Sequence, residues 1–245
     1  MTIPKNIFFY WDSVDIPKEA SDNVKNYKDN NLDYNVKLLN NNDINKYLDK
    51  YTELIKLFHL ATIAALKSDI IRMIYLYEEG GMWIDMNTTL LNNDGIKILF
   101  NRYNNFDFVI NLIPTQQNKI TTSALIAKKK SKLVFDIINK MTENLKKHYE
   151  IEKSATEYVP YNLFVFVAPV ILYDLLEYKK DDNLNFIKDK DIIITLNLPK
   201  FNEYKCGLMC VENILKFYGC NMNHHHNENM YKHWSVVQKT QKLFR

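Results

Sequence analysis

From Thr62 to Glu79 apolar side chains recur at three- and four-residue intervals, at Ile63, Leu66, Ile70, Ile74 and Tyr77, and the run stops at Gly80-Gly81. That period predicts a helix. Paired glycines end it, because glycine accepts left-handed backbone angles at no steric cost. The next residues, "MWIDMNTTLL" (82–91), read as a strand. Helix, glycine turn and strand in direct succession constrain this chain more than any other stretch of it.

The remaining pattern repeats the alternation. Strands are expected at "KNIFFYW" (5–11), "YNVKLL" (34–39), "FDFVINL" (106–112), "TTSALIAKK" (121–129) and "DIIITL" (191–196). Helices are expected near 17–28, within "NNNDINKYLDK", and over 132–149, with a mixed apolar segment at 161–178. Strands alternating with helices predict an α/β fold with a largely parallel sheet. No repeat and no Pro/Gly/Ser linker divides the 245 residues, so one domain is expected over 1–245.

Composition narrows the function classes. Apolar residues make up 47% and charged residues 25%, the profile of a soluble globular protein. A net charge of +3 is too small to argue for nucleic acid. The longest apolar stretch, "LFVFVAPVIL" (163–172), is half a membrane span, and no charged-then-apolar leader opens the chain, so a cytoplasmic protein is expected. Sixteen Tyr, 13 Phe and 3 Trp supply apolar faces with polar tips, suited to a polar ligand cleft or to ordinary core. Cys206, Cys210, Cys220 and His224 have a spacing that zinc would accept, but an odd cysteine count favours buried thiols in a reducing compartment.

Two residue pairs carry chemistry. Asp69 and Arg72 are three apart on the predicted helix and therefore neighbours. They form either an ion pair on a solvated face or a pair facing a cleft at the carboxyl end of the following strand, where α/β sheets bind ligands. Asp85 and Asn87 flank Met86, and in a strand they would project to one face. Two oxygens pointing together suit a hard cation, Mn or Mg, whereas a turn or capping role is the plainer alternative.

Taken together, "LKSDIIRMIYLYEEGGMWIDMNTTLL" resembles the core signature of Asp-x-Asp sugar-nucleotide glycosyltransferases, and is most similar to the capsular polysaccharide synthesis and mannosyltransferase-like group. "IPKNIFFYW" is similar to the first strand of that group. The resemblance implies a GT-A-like fold with a mixed, mostly parallel sheet flanked by helices, a Rossmann-like donor half over about 1–115 and an acceptor half over about 116–245. It implies a nucleoside-diphosphate sugar as donor and a glycan or lipid-linked acceptor. Phe9, Tyr10 and Trp11 would lie near the base, with Trp83 beside the donor. Asp69 and Arg72 would contact ribose, sugar or phosphates, and Gly80 and Gly81 would let the backbone close on the donor. Asp85 would touch metal or sugar, and Asn87 would be a metal ligand.

Asn87 departs from the family pattern: its amide coordinates but brings no charge, so weaker cation binding is expected. Related transferases use a late His and a Ser/Trp pair to complete the metal and diphosphate site, and "HWS" (233–235) resembles a permuted version, making His233 a candidate metal ligand and Trp234 and Ser235 candidate donor contacts. The resemblance favours retention of configuration, with Glu157, Asp174 and Glu203 as unranked acids. The basic tail "QKTQKLFR" offers peripheral contact with an anionic membrane. Competing classes are a decayed nucleotide-sugar- or carbohydrate-binding module and a metal-dependent phosphohydrolase.

Overall fold

A computed structural model describes residues 2–113, 119–177, 193–194, 199–211, 214–217 and 234–245. The first half runs β1 (Asn6–Tyr10), α1 (Lys18–Asn30), β2 (Asn35–Leu39), a 3-10 turn (Asp43–Tyr47), α2 (Thr52–Leu60), α3 (Ala64–Glu78), β3 (Gly81–Ile84), β4 (Thr88–Leu90), α4 (Gly95–Tyr103) and β5 (Phe108–Ile113). The second half continues with β6 (Lys119–Ala127), α5 (Lys132–Ser154), a 3-10 turn (Leu163–Val165), α6 (Ala168–Leu175), β7 (Ile193–Ile194), α7 (Pro199–Glu203), β8 (Cys206–Met209), β9 (Leu215–Phe217) and α8 (Trp234–Val237).

Seven of these strands form one sheet in the order β2-β1-β3-β6-β5-β8-β7. The α/β class holds and the sheet is mixed, as expected, although among the described strands its pairs divide evenly between parallel and antiparallel. β1 pairs in parallel with β2 and β3, and β5 with β8, whereas β6 runs antiparallel between β3 and β5, and β7 antiparallel to β8. Strand direction is invisible to a period-two pattern, which reports only which face is buried.

Both faces are buried, as expected of a sheet covered by helices. Phe8 and Tyr10 of β1, Trp83, Phe108 and Leu125 pack under α2, α3, α5 and α6. Ile7, Phe9, Met82, Val109 and Ile126 alternate to the opposite face, under α1 and α4. α3 lies within the first layer with Asp69 through Leu76 buried in succession, so it has no solvated face along that stretch.

Some elements differ from the sequence-based expectation. α2 and α4 are additional helices, and "NNNDINKYLDK" makes only the 3-10 turn. Leu215–Phe217 is an additional strand, pairing antiparallel with β4. Cys206 is buried in β8, and burial pushes its thiol pKa up, so it sits in the core as a neutral S–H. Cys220 and His224 lie outside the described residues.

Gly80 and Gly81 have φ of 66° and 122°. A Cβ on Gly81 would lie 2.4 Å from the Asn6 carbonyl oxygen, and one on Gly80 2.6 Å from the Lys129 amide nitrogen. The glycines therefore let β3 press against its neighbours. They also stand at the opposite end of β3 from Asp85, about 13 Å away at ~3.3 Å per residue, which removes the expected role in closing on a donor. Gly81→Ala combines positive φ with a backbone clash. It should destabilise the fold by at least about 2 kcal/mol, seen as a lower urea midpoint at unchanged m-value.

Candidate active site

α3 runs down the sheet into the glycine turn and β3 returns, so the early residues of α3 lie beside the end of β3. This brings together groups thirteen positions apart. Arg72 Nη2 donates to Asp85 Oδ1 at 2.7 Å, and its Nη1 forms an ion pair with Asp69 Oδ1 at 2.7 Å. Arg72 is 4% exposed and Asp69 8%, so theirs is a buried pair and not one on a solvated face. The Trp83 indole N–H also donates to Asp85 Oδ1, at 2.9 Å, and its ring lies 5.1 Å from the Arg72 guanidinium carbon. Trp83 thus holds the ion pair from beneath and is itself buried.

Two carboxylates share one guanidinium, leaving a net charge of −1. Burial lifts the Asp69 carboxyl to about 6; Arg72 opposes the rise and Asp85 adds to it. Burial also raises Asp85, against the pull of Arg72 and the Trp83 hydrogen bond. Asp85 keeps 32% of its side chain exposed, and its second oxygen takes no hydrogen bond among the described residues. The outward-facing charge is therefore that of Asp85.

A folded-state value above the unfolded one means that folding favours protonated Asp69. Its contribution to stability is full below about pH 4 and is lost as pH rises through 6, a loss on the order of 3 kcal/mol. Asp69→Asn should flatten the urea midpoint between pH 4 and 7. An unchanged slope would assign it to other groups.

Asp85 and Asn87 do not share a strand face. β3 ends at Ile84, and residues 85–88 form a turn closed by the Thr88 N–H donating to the Asp85 carbonyl at 3.0 Å. The Asp85 N–H donates to the Ser123 carbonyl at 2.8 Å. Asn23 of α1 donates its amide to the carbonyls of Met86 (3.1 Å) and Thr88 (2.9 Å), and the buried Tyr27 hydroxyl donates to the latter at 3.2 Å. The turn still sets both residues at the carboxyl edge, with α1 as its brace; the Asp85 side chain is partly exposed there, whereas the Asn87 side-chain oxygen is buried. Asn23 and Ser123 escaped the sequence reading because their contacts depend on tertiary placement.

Of the aromatics expected near a base, Phe9 is fully buried edge-on against Tyr27 and offers no surface to a ligand. Tyr10 is buried on the other face, its hydroxyl donating to Asn41 at 2.5 Å. Trp11, just beyond β1, is partly exposed and donates its indole N–H to the Asp15 carbonyl at 3.1 Å. Ser235 is partly exposed in α8, of Trp234 only the backbone is described, and His233 lies outside the described residues. Glu203 is tied to Lys200 just before β8, which runs parallel to β5; it therefore sits at the edge away from Asp85. Glu157 and Asp174 are exposed. Among the described residues no cluster of three or more His, Cys, Asp or Glu forms a metal site.

The fold is thus a mixed α/β sheet with an Asp–Arg–Asp network at the carboxyl end of a central strand, the edge at which open α/β sheets bind ligands. The chain belongs to the capsular polysaccharide synthesis protein family, whose model matches residues 1–234. No curated protein sequence matches it. Among solved structures it is similar to the PaToxG glycosyltransferase (15% identity, TM-score 0.48, covering 71% of this chain and 69% of that one). It is also similar to the ligand-free glycosyltransferase domain of the YGT toxin (10%, 0.45, 64% and 66%) and to the catalytic domain of alpha-toxin from Clostridium novyi (10%, 0.42, 63% and 59%). The chain thus spans two thirds or less of the last two, and at TM-scores below 0.5 none of these likenesses assigns anything to it.

Proposed function

We propose that this protein is a glycosyltransferase with a GT-A-like fold. It would move a sugar from a nucleoside-diphosphate sugar to a glycan or lipid-linked acceptor in surface polysaccharide synthesis, with retention of configuration. Membership of the capsular polysaccharide synthesis family supports the setting. The observation that carries the chemistry is the buried Asp69–Arg72–Asp85 network, which presents one outward carboxylate at the carboxyl edge.

A divalent cation fits this donor set. The outward oxygen of Asp85 and the amide of Asn87 would hold it, and when bound it would neutralise charge on the donor diphosphate. Arg72 already holds two carboxylates, so its part is to keep Asp85 ionised and aimed; direct contact with the diphosphate is not its role. Asp69 keeps the guanidinium in place from the other side. Trp83 fixes the same Asp85 oxygen, and Asn23 holds the turn. Trp11, with Ser235 and the segment around it, is left to contact the donor.

Charge at the second motif position decides cation affinity. Asn87→Asp should tighten Mn or Mg binding by about tenfold or more, since one added charge near the ion is worth on the order of 1–4 kcal/mol at effective dielectrics between water and protein surface. Metal titration of donor hydrolysis reads this, and an unchanged midpoint counts against Asn87 as a ligand.

Turnover assayed over a panel of UDP- and GDP-sugars tests the function itself. Release of nucleoside diphosphate with one of them supports a transferase. Saturable binding with no release from any donor would instead support a nucleotide-sugar-binding module. No helix among the described residues is long and apolar enough to cross a membrane. In the basic tail Leu243 and Phe244 are buried, so Lys239, Lys242 and Arg245 are the basic side chains it offers to an anionic surface.

A further inference from the structure

Glu152 is a buried carboxylate, 4% exposed, that the chemistry above does not use. It stands near the end of α5 and accepts two consecutive main-chain N–H groups, Leu243 to Oε1 at 2.9 Å and Phe244 to Oε2 at 3.0 Å. His148, one turn earlier, brings Nε2 within 3.2 Å of Oε1, close enough for attraction though off hydrogen-bond geometry. A carboxylate taken out of water is costly unless its oxygens are hydrogen-bonded. Here both partners belong to the C-terminal segment.

That segment is fastened along its length. The Tyr158 hydroxyl donates to the Gln238 carbonyl, and the Leu163 N–H to Gln238 Oε1 at 3.0 Å. Tyr161 donates to the Gln241 carbonyl at 3.0 Å, and the Thr62 hydroxyl to the Lys242 carbonyl at 2.6 Å. Thr62 N–H to Leu243 (2.9 Å) and Arg245 N–H to Leu60 (3.0 Å) then make Ala61 and Phe244 an antiparallel bridge. Thr62 lies just before α3, and Asp69 is about 10 Å further along at 1.5 Å per residue. Lys67, between them, senses both sides: burial lowers its pKa, Asp12 beyond β1 opposes that, and Arg245 adds to it. The segment is therefore moored just ahead of α3, about 10 Å before Asp69 at ~1.5 Å per residue, and α8 ends one residue before its first mooring point at Gln238.

We propose that Glu152 is a positioning residue for the transfer reaction: through the main chain of Leu243 and Phe244 it fixes residues 234–237 beside the Asp69–Arg72–Asp85 centre, so that the donor is held there. This rests on the donor-site proposal above. A role confined to stability would lower the active fraction, and with it apparent kcat, without moving KM for the donor. Positioning predicts the reverse.

Glu152→Gln replaces one accepting oxygen with an amide NH2 that faces a main-chain N–H. Tryptic cleavage after Lys239 or Lys242, followed without donor, should quicken about tenfold or more, as expected for loss of a charge-assisted hydrogen bond. KM for the sugar nucleotide that the wild type turns over should rise about tenfold, with kcat changed less than KM. The double variant Tyr158→Phe/Tyr161→Phe removes two moorings at partly exposed positions and keeps the test open if Glu152→Gln fails to fold; it should shift both readouts in the same direction, by a smaller factor. Faster cleavage with unchanged KM would overturn the proposal, leaving Glu152 a merely structural clamp. Cleavage as slow as in the wild type in the folded variants would overturn it too, because the mooring would not depend on these groups. A wild type that turns over no sugar nucleotide would overturn the donor-site proposal and this one with it, and the donor-free cleavage arm separates that failure from the other two.

Discussion

Replacing Arg72 with methionine is expected to lower stability by about 3–5 kcal/mol, the range for removing one partner of a buried ion pair. The network explains the size. Arg72 is the counter-ion of two carboxylates, both at 2.7 Å, and Asp69 has almost no access to water. At ~2–4 °C per kcal/mol for a chain of this size the midpoint should fall by roughly 6–20 °C. The loss should be smaller at pH 5 than at pH 7.5, because Asp69, already raised to about 6 with Arg72 present, takes up a proton at lower pH. Adding Asp69→Leu should recover part of the loss by removing the stranded charge. Equal destabilisation at both pH values would show that Asp69 is not what Arg72 compensates. Lysine is no remedy, since one ammonium does not reproduce the two-nitrogen fork that spans both carboxylates.

The second large effect falls on activity. Asp85→Asn keeps an oxygen to accept from Arg72 and Trp83, so the fold should change by less than about 1 kcal/mol. The outward charge is gone, however, and with it the field proposed to hold a cation against the diphosphate. Turnover should drop by about 10²–10³-fold, the usual size for one lost electrostatic contact to developing charge. Thermal melting together with product release distinguishes this from the Arg72 result: the Asp85 variant stays folded and is inactive, whereas the Arg72 variant loses stability as well as activity. A folded Asp85→Asn protein at wild-type turnover would remove Asp85 from the chemistry.

Much of this site was legible before the fold was known, for identifiable reasons. The period from Ile63 to Tyr77 and the double glycine specify α3, the turn and β3, since local sequence controls all three. The spacing of Asp69 and Arg72 made them neighbours, but it could not tell a solvated face from a buried one. α3 is covered by the sheet on one side and by α2 and α5 on others, so its polar residues are enclosed by distant parts of the chain. The contact from Arg72 to Asp85 follows from α3 and β3 running in opposite directions. That was implicit in the glycine turn, although the distance was not. The brace from Asn23 and the antiparallel placement of β6 depend on long-range pairing, and no local pattern announces either. Phe9 and the glycines show the opposite error. Their types fit a binding role, yet β1 turns Phe9 into the core, and neighbouring backbone fills the space that a Cβ on either glycine would need.

The proposed donor site lies where β3 ends, over the Asp69–Arg72–Asp85 network. The chain has only three tryptophans, and two of them mark that region. Trp83 donates its indole N–H to Asp85, and Trp11 lies just beyond the parallel neighbour of β3. Nitrogen-15 correlation spectra of the assigned indole N–H groups, recorded while UDP or GDP is titrated in with magnesium, read the site directly. The Trp83 resonance should shift in step with binding and fail to shift in Asp85→Asn. Binding that saturates while the Trp83 resonance stays fixed would place the ligand elsewhere and contradict the account.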